Sequence, residues 1–288
     1  MLGEINNEPK RLKKTRAIML AVLFLVTVTA GAVSAAGIAT ERNITTESNV
    51  VDANVLSTKS TDFLYIGDTS DNTVKRFNET SGNFSNTFVS PGSGGLLGPS
   101  GILFEINGQL LVDNQNFGGT TPGDILRYNG KTGVFETTLV NSTDQYPPFS
   151  PQGIVLKDFK LYVADIGDVG RPGNVSSYNE HNGKFLENLT QNAIPDTNYH
   201  PRGIVFGPDG NLYVSVRDLP TPLGGYVLRF NPNGSFKDVF IADNGGVGNL
   251  NRPEGLVFSP DGNLYITASG QMQVIRIRFG FTQQTECF

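Results

Sequence analysis

Arg202-Gly203-Ile204-Val205-Phe206-Gly207-Pro208-Asp209-Gly210-Asn211-Leu212-Tyr213-Val214 sets two short apolar runs on either side of a Gly/Pro/Asn turn. Pro208 fixes its own φ and Gly210 tolerates a positive one, as a tight reversal between antiparallel strands requires. The same grammar returns at Glu254–Ile266, where Ser259-Pro260-Asp261-Gly262-Asn263 is the turn. Further upstream, Gly101-Ile102-Leu103-Phe104 and Gly153-Ile154-Val155-Leu156 repeat the opening of the motif, and the four leading glycines are 52, 50 and 52 residues apart.

Three more elements share this period. One is Leu64-Tyr65-Ile66, Leu110-Leu111-Val112, Leu161-Tyr162-Val163, Leu212-Tyr213-Val214 and Leu264-Tyr265-Ile266. The next is Val74–Phe77, Ile125–Tyr128, Val175–Tyr178, Val227–Phe230 and Val274–Ile277, and a weaker last one is Phe84–Val89, Phe135–Val140, Phe185–Leu189 and Phe236–Ile241. Four short strands per repeat of about fifty residues is the signature of a propeller blade. The spacing therefore predicts an all-β chain, a β-propeller of four-stranded antiparallel blades over residues 61–288, with about five blades visible. The first blade is expected to lack its inner strand and the last its outer one, since Phe279–Phe288 departs from the repeat. The ring is then either closed with help from residues 36–60, which contain Asn49-Val50-Val51 and Asn54-Val55-Leu56, or an open, truncated six-bladed type.

Composition agrees. The 288 residues carry 34 Gly and 16 Pro, 38% hydrophobic and only 17% charged residues, one Cys, two His and no Trp. That excludes a disulfide scaffold and a Cys/His zinc module. The formal charge is −5 and basic runs are confined to the N-terminus, which argues against nucleic acid as a partner. Cys287 has no partner within the chain.

Lys10, Arg11, Lys13, Lys14 and Arg16 precede an uncharged stretch, Ala17–Thr40, whose apolar part is followed by Val33-Ser34-Ala35-Ala36. This is the pattern of a secretory signal over residues 1–35. The rival reading is an uncleaved anchor, because 24 residues at about 1.5 Å each span a hydrocarbon core of about 30 Å. Either way the basic flank stays cytoplasmic and the propeller is exported, secreted or held at the cell surface, touching membrane only through residues 17–40 if uncleaved. Cleavage removes five basic and two acidic residues and takes the charge from −5 to −8. Sequons at Asn43, Asn78, Asn83, Asn141, Asn174, Asn188 and Asn233 make the exported part a candidate glycoprotein.

In an antiparallel blade, the residue before the inner strand and the end of the second strand share one face of the ring. Ser100, Gln152, Arg202 and Glu254 each precede a repeated Gly, one per blade, and Asp68, Asp113, Asp165 and Asp218 lie at or just beyond second-strand ends. The loops Asn114–Gly123, Ile166–Asn174 and Leu219–Gly225 on that face are long and dissimilar, whereas the opposite turns are short. Binding function concentrates on such a face. Two uses of these polar residues stand side by side. They cap their own turns and pair with one another, for instance Arg202 with Glu254 or Asp165. Alternatively Ser100, Gln152, Arg202, Glu254, Asp113 and Asp165 form an axial site for a small ligand, or for Ca²⁺ or Mg²⁺ held by Glu254 and Asp165.

Leu64–Phe77, Leu-Tyr-Ile-Gly-Asp-Thr-Ser-Asp-Asn-Thr-Val-Lys-Arg-Phe, resembles the core of an NHL repeat. Arg202–Val214 is similar to repeats shared by NHL proteins, streptogramin lyases and the gluconolactonase-like family. The resemblance covers about residues 61–278 and implies the propeller more than any one activity. The gluconolactonase likeness implies a metal-binding Glu in Glu-Gly-Pro; Glu254-Gly255 matches, but Leu256 replaces Pro and the motif is in the last blade. The lyase likeness implies a His base before an inner-strand Gly; Arg202 stands there, and His200 lies two residues earlier. His181 falls in the opposite turn Asn179–Gly183.

The NHL likeness implies an interaction scaffold without catalysis, binding a protein, a carbohydrate or a small molecule through its loop-rich face. The alternative is a divalent-metal-dependent lactone or ester hydrolase. In it Glu254 is a metal ligand, Asp165 or Asp113 a second ligand or base, and Arg202 an oxyanion stabiliser.

Overall fold

A computed structural model describes residues 62–116, 118, 120–168, 171–193, 199–218, 224–242, 250–270, 273–277 and 285–287. The export segment, residues 36–60 and the loop 219–223 lie outside these. The strands follow the sequence period. The first sheet is β1 (Phe63–Asp68), β2 (Thr73–Asn78) and β3 (Phe84–Val89); the second is β4 (Pro99–Phe104), β5 (Gln109–Asn114), β6 (Asp124–Asn129) and β7 (Phe135–Val140). The third comprises β8 (Pro151–Lys157), β9 (Lys160–Asp165), β10 (Asn174–Asn179) and β11 (Phe185–Leu189). The fourth comprises β12 (Tyr199–Phe206), β13 (Leu212–Asp218), β14 (Gly225–Phe230) and β15 (Phe236–Ile241). The fifth holds β16 (Pro253–Phe258), β17 (Leu264–Ala268), β18 (Gln273–Ile277) and β19 (Thr285–Cys287). Every sheet is antiparallel with its strands in chain order, so the chain is a β-propeller.

The last blade corrects the sequence reading. Thr285–Cys287 pairs with Ile275–Ile277 and supplies the outer strand, although nothing in Phe279–Phe288 matches the repeat. A strand that pairs along only one edge needs backbone, not a motif. Among the described residues the first sheet has three strands, and residues 36–60, which were expected to be able to add one, lie outside them.

No blade owns its core. Strand side chains alternate between the two faces of a sheet, and each face packs on a neighbouring blade. Leu110 and Val112 of β5 join Val74, Val89 and Leu96 of the first blade, whereas Leu111 between them joins Ile154, Leu161 and Val163 of the third. Leu212, Val214 and Val216 likewise pack on Tyr162, Ala164 and Val175, while Tyr213 faces Leu264 and Ile266. The recurring Tyr has a specific partner in the next blade. Tyr65 meets Phe104 at 4.7 Å, Tyr162 meets Phe206 at 5.4 Å and Tyr213 meets Phe258 at 5.1 Å, all edge to face. Each such pair contributes about 0.5–1.5 kcal/mol beyond its buried area. At the remaining junction both partners become aliphatic, Leu111 with Leu156 in one cluster.

Nearer the axis the blades touch through backbone. Each inner strand opens Pro-x-Gly: Pro99-Ser100-Gly101, Pro151-Gln152-Gly153, Pro201-Arg202-Gly203 and Pro253-Glu254-Gly255. Pairing to the second strand is interrupted between this Pro and the apolar residues in all four. Proline is tolerated where a bulge needs no ladder donor. The glycine permits close approach: a Cβ on Gly203 would lie 2.5 Å from the carbonyl oxygen of Glu254, and one on Gly153 would collide with that of Arg202. Gly255 differs. Its nearest neighbour would be Thr267 Oγ1 of its own blade at 3.6 Å, and among the described residues no atom of another blade would come within 4 Å. Gly255 is therefore not crowded as Gly203 is.

Gly203→Ala should destabilise by about 1–3 kcal/mol through overpacking against rigid backbone, whereas Gly255→Ala should leave the melting temperature nearly unchanged. Thermal melts of the two variants check this, and equal losses would mean that another blade packs on Gly255.

Candidate functional site

The residue before each inner-strand glycine lies in a bulge of that strand, but the four side chains do different things. Ser100 Oγ, 2% exposed, donates to the carbonyl of Pro151 in the next blade at 2.7 Å. Gln152 Oε1 accepts from Gln115 Nε2 at 2.9 Å, which anchors the loop after β5. Glu254 is buried against the guanidinium of Arg217, and its Oε1 also accepts from Ser269 Oγ at 3.0 Å. Arg202, the fourth, has no hydrogen bond or ion pair among the described residues, and its Nε is buried. The expected pairing of Arg202 with Glu254 or Asp165 does not occur; Glu254 is taken by Arg217.

The aspartates separate by register. Pairing with the third strand aligns Gly67, Asp113, Ala164, Ser215 and Thr267 with Val74, Ile125, Val175, Val227 and Val274 respectively. This position faces the inner-strand glycine. Ser215 Oγ accepts from Gly203 N at 2.8 Å and donates to the carbonyl of Glu254; Thr267 Oγ1 accepts from Gly255 N at 2.9 Å. Asp113 occupies the same place in the second blade, fully buried, with neither carboxyl oxygen hydrogen-bonded among the described residues. Burial, reinforced by the charge of Asp165, holds its pKa well above the usual carboxylate range and so favours its protonated form.

Asp165 lies one register position further on, level with Asp68 and Asn114. Its oxygens accept from the backbone N–H groups of Phe149 and Ser150, each at 2.7 Å, and of Gly167 at 3.1 Å. Asn114 does the equivalent with Leu97 N at 2.7 Å. Both tie down the loop entering the inner strand. Asp68 instead binds Ser70 and Lys75 on the first blade. The side chain of Asp218 lies outside the described residues. His200 is half-buried, with Nδ1 2.8 Å from the carbonyl of Ile166; since a carbonyl only accepts, Nδ1 carries the proton and the ring braces the loop after β9. His181 is exposed and stacks near Phe159 at 5.7 Å, away from these groups.

A divalent cation does not suit the two carboxylates named for it. Glu254 already contacts a guanidinium and lies in a neighbourhood where Arg202, Arg217 and Arg252 repel one another. The lone pairs of Asp165 are directed at three N–H donors. Among the described residues no three His, Cys, Asp or Glu side chains group as a metal site.

Arg217 and Arg252 escaped the sequence reading. Arg217 follows Ser215 by two residues in β13, so period-2 alternation puts both on the face turned to the fifth blade. That alternation was the available signal, and the neighbouring Asp218 drew the attention instead.

No family model matches the sequence, and a search of curated proteins gives no significant relative. Solved structures do match. A chain of a nidogen/laminin complex superposes with a TM-score of 0.60 at 17% identity, covering 80% of this chain and 76% of that one. A gluconolactonase from Xanthomonas campestris gives 0.55 at 14%, covering 79% and 72%. A protein of unknown function from Bacteroides caccae gives 0.53 at 15%, covering 80% and 73%. At these identities the likeness is one of fold, shared by a chain found in a protein complex and by an enzyme.

Two outcomes follow from the site. The folded state keeps the Asp113 proton at pH values where the unfolded chain, with a carboxyl pKa near 3.9, has released it. Its contribution is therefore most favourable below about pH 4 and declines by about 1.4 kcal/mol per pH unit up to the raised folded value. Asp113→Ser, which installs the residue of the fourth blade, should remove that decline, so its stability gain over the parent grows as the pH of the melts rises above about 4. Millimolar Ca²⁺ or Mg²⁺ should not raise the melting temperature of metal-free protein, and a rise lost in Glu254→Gln would restore the cation reading.

Proposed function

We propose that the chain is an exported, non-catalytic binding propeller that recognises its ligand through the loop-rich face around the channel. One observation carries this reading: the polar residues expected at that face are spent on holding blades and loops together. Ser100 joins two blades, Gln152 and Asp165 fix loops, and Glu254 neutralises Arg217. None is a nucleophile beside a base, and His200 is committed through Nδ1 to a loop carbonyl. What the same bonds leave exposed are loop residues such as Thr121, Asp168 and Arg171. A rigid scaffold with variable loops is suited to binding. A hydrolase would need Glu254 and Asp165 free to hold a metal.

Export rests on the basic and apolar segments of residues 10–40, and it places the ligand, a protein, a carbohydrate or a small molecule, outside the membrane. The released protein should begin near Ala36 or Gly37 in an intact-mass measurement; persistence of residues 1–35 would identify an anchor instead.

Binding is tested on arrays of extracellular-matrix proteins and glycans with the exported protein. Thr121→Arg on the loop-rich face should weaken the strongest signal about tenfold or more, while Asn182→Arg on the opposite turns should not. The reverse pattern, or turnover of simple lactones that survives rigorous purification and disappears in Glu254→Gln, would overturn the reading.

A further inference from the structure

Three arginines converge at the junction of the fourth and fifth blades. Arg202 comes from the bulge of β12, Arg217 from the end of β13, and Arg252 immediately precedes β16. Arg252 sits in the left-handed region, φ 52°, with its carbonyl accepting from Ser269 N at 3.0 Å and Ser269 Oγ at 3.2 Å. A non-glycine residue there is uncommon and is kept in place by those bonds. Ser269 Oγ also lies 3.2 Å from Arg217 Nη2, so one hydroxyl connects the backbone of Arg252 with the side chains of Arg217 and Glu254.

Against these three cations the described residues supply one carboxylate, Glu254, and it contacts only Arg217. The Nε atoms of Arg202 and Arg217 are buried without a hydrogen-bond partner among the described residues. Burying guanidinium donors beside like charge is costly unless an anion completes the arrangement.

We infer that Arg202, Arg217 and Arg252 form an oxyanion site at the channel mouth that takes the carboxylate of a small organic ligand. The inference rests on the reading of this face as the binding face and names the chemistry it recognises. Arg202 is the central contact, because its planar fork of donors is unengaged among the described residues and suits a carboxylate in two-point contact. Arg252, which is exposed, closes the outer side. Arg217 contributes its charge while it remains on Glu254. Burial and the neighbouring guanidiniums lower Arg202 to about 10 and Arg217 to about 9, values that leave both cationic at neutral pH. Small ligands fit better than a flat protein surface, because Arg202 is recessed into the bulge and half-buried.

The test compares galacturonate with galactose, which lacks the carboxylate, and with inorganic sulfate, by calorimetric titration and thermal shift on the exported protein. Galacturonate should bind and galactose should not, with affinity falling as salt rises. Response to sulfate alone would mark an adventitious ion only and overturn the organic-ligand assignment. Arg202→Gln should weaken galacturonate at least about tenfold and raise the melting temperature of the ligand-free protein by removing an unpaired buried cation. A lower ligand-free melting temperature would mean that Arg202 is engaged structurally and would overturn the site. Arg252→Gln should weaken binding without changing stability, and Arg76→Gln in β2, distant from the cluster, should leave binding unchanged. If Arg202→Gln leaves array binding intact while no carboxylate probe binds the parent, the oxyanion site fails and the binding-face reading survives. Loss of neither in Thr121→Arg sinks the binding-face reading instead.

Discussion

Backbone-to-backbone contact between neighbouring inner strands is the constraint from which the rest of this propeller follows. A side chain at Gly153 or Gly203 would collide with the carbonyl of the adjacent strand, so the blades converge only where a glycine recurs. The bulge before each glycine then takes the preceding residue out of the regular ladder, whatever its chemistry. Position is dictated by packing, and the identity of the side chain is left free. That freedom is why four equivalent places hold a serine, a glutamine, an arginine and a glutamate.

The result is a ring mouth with separated charge. Asp113 and Asp165 belong to the second and third blades, the three arginines and Glu254 to the fourth and fifth. On the carboxylate side, burial disfavours charge at Asp113, and Asp165 is met by three N–H donors. On the guanidinium side only Arg217 is neutralised among the described residues. The asymmetry matters because guanidiniums cannot shed their protons near neutral pH as a carboxyl can gain one. Unused charge therefore accumulates on one side of the axis.

The repeat made the strands legible almost residue by residue, because turn chemistry, apolar alternation and a fixed period all pointed to one answer. The site was legible only as a set of positions. Asp113 and Asp165 both lie 12 residues after their glycines, yet they occupy different registers. The third blade turns through Asp158 and Phe159 alone, both with positive φ (51° and 63°), the geometry of a two-residue primed turn. The other blades use longer turns, so counting along the chain misplaces Asp165 by one. Arg217 was hidden for a related reason, since its role depends on which face of β13 it shares with Ser215. The outer strand of the last blade carries no recurring motif and was invisible to a search for one.

The cores lie between blades, and this shapes how the molecule comes apart. Removing an interior blade would strip apolar surface from two neighbours at once, whereas a terminal blade is held on one side among the described residues. Loss of structure is thus inward-directed, as in a linear array with nearest-neighbour coupling. Nearest-neighbour coupling of this kind gives an interior blade such as the third the greatest protection and the first and fifth sheets the least. The arginine cluster spans the junction of the fourth and fifth blades, so a ligand there would act as a clasp on the blade that frays first.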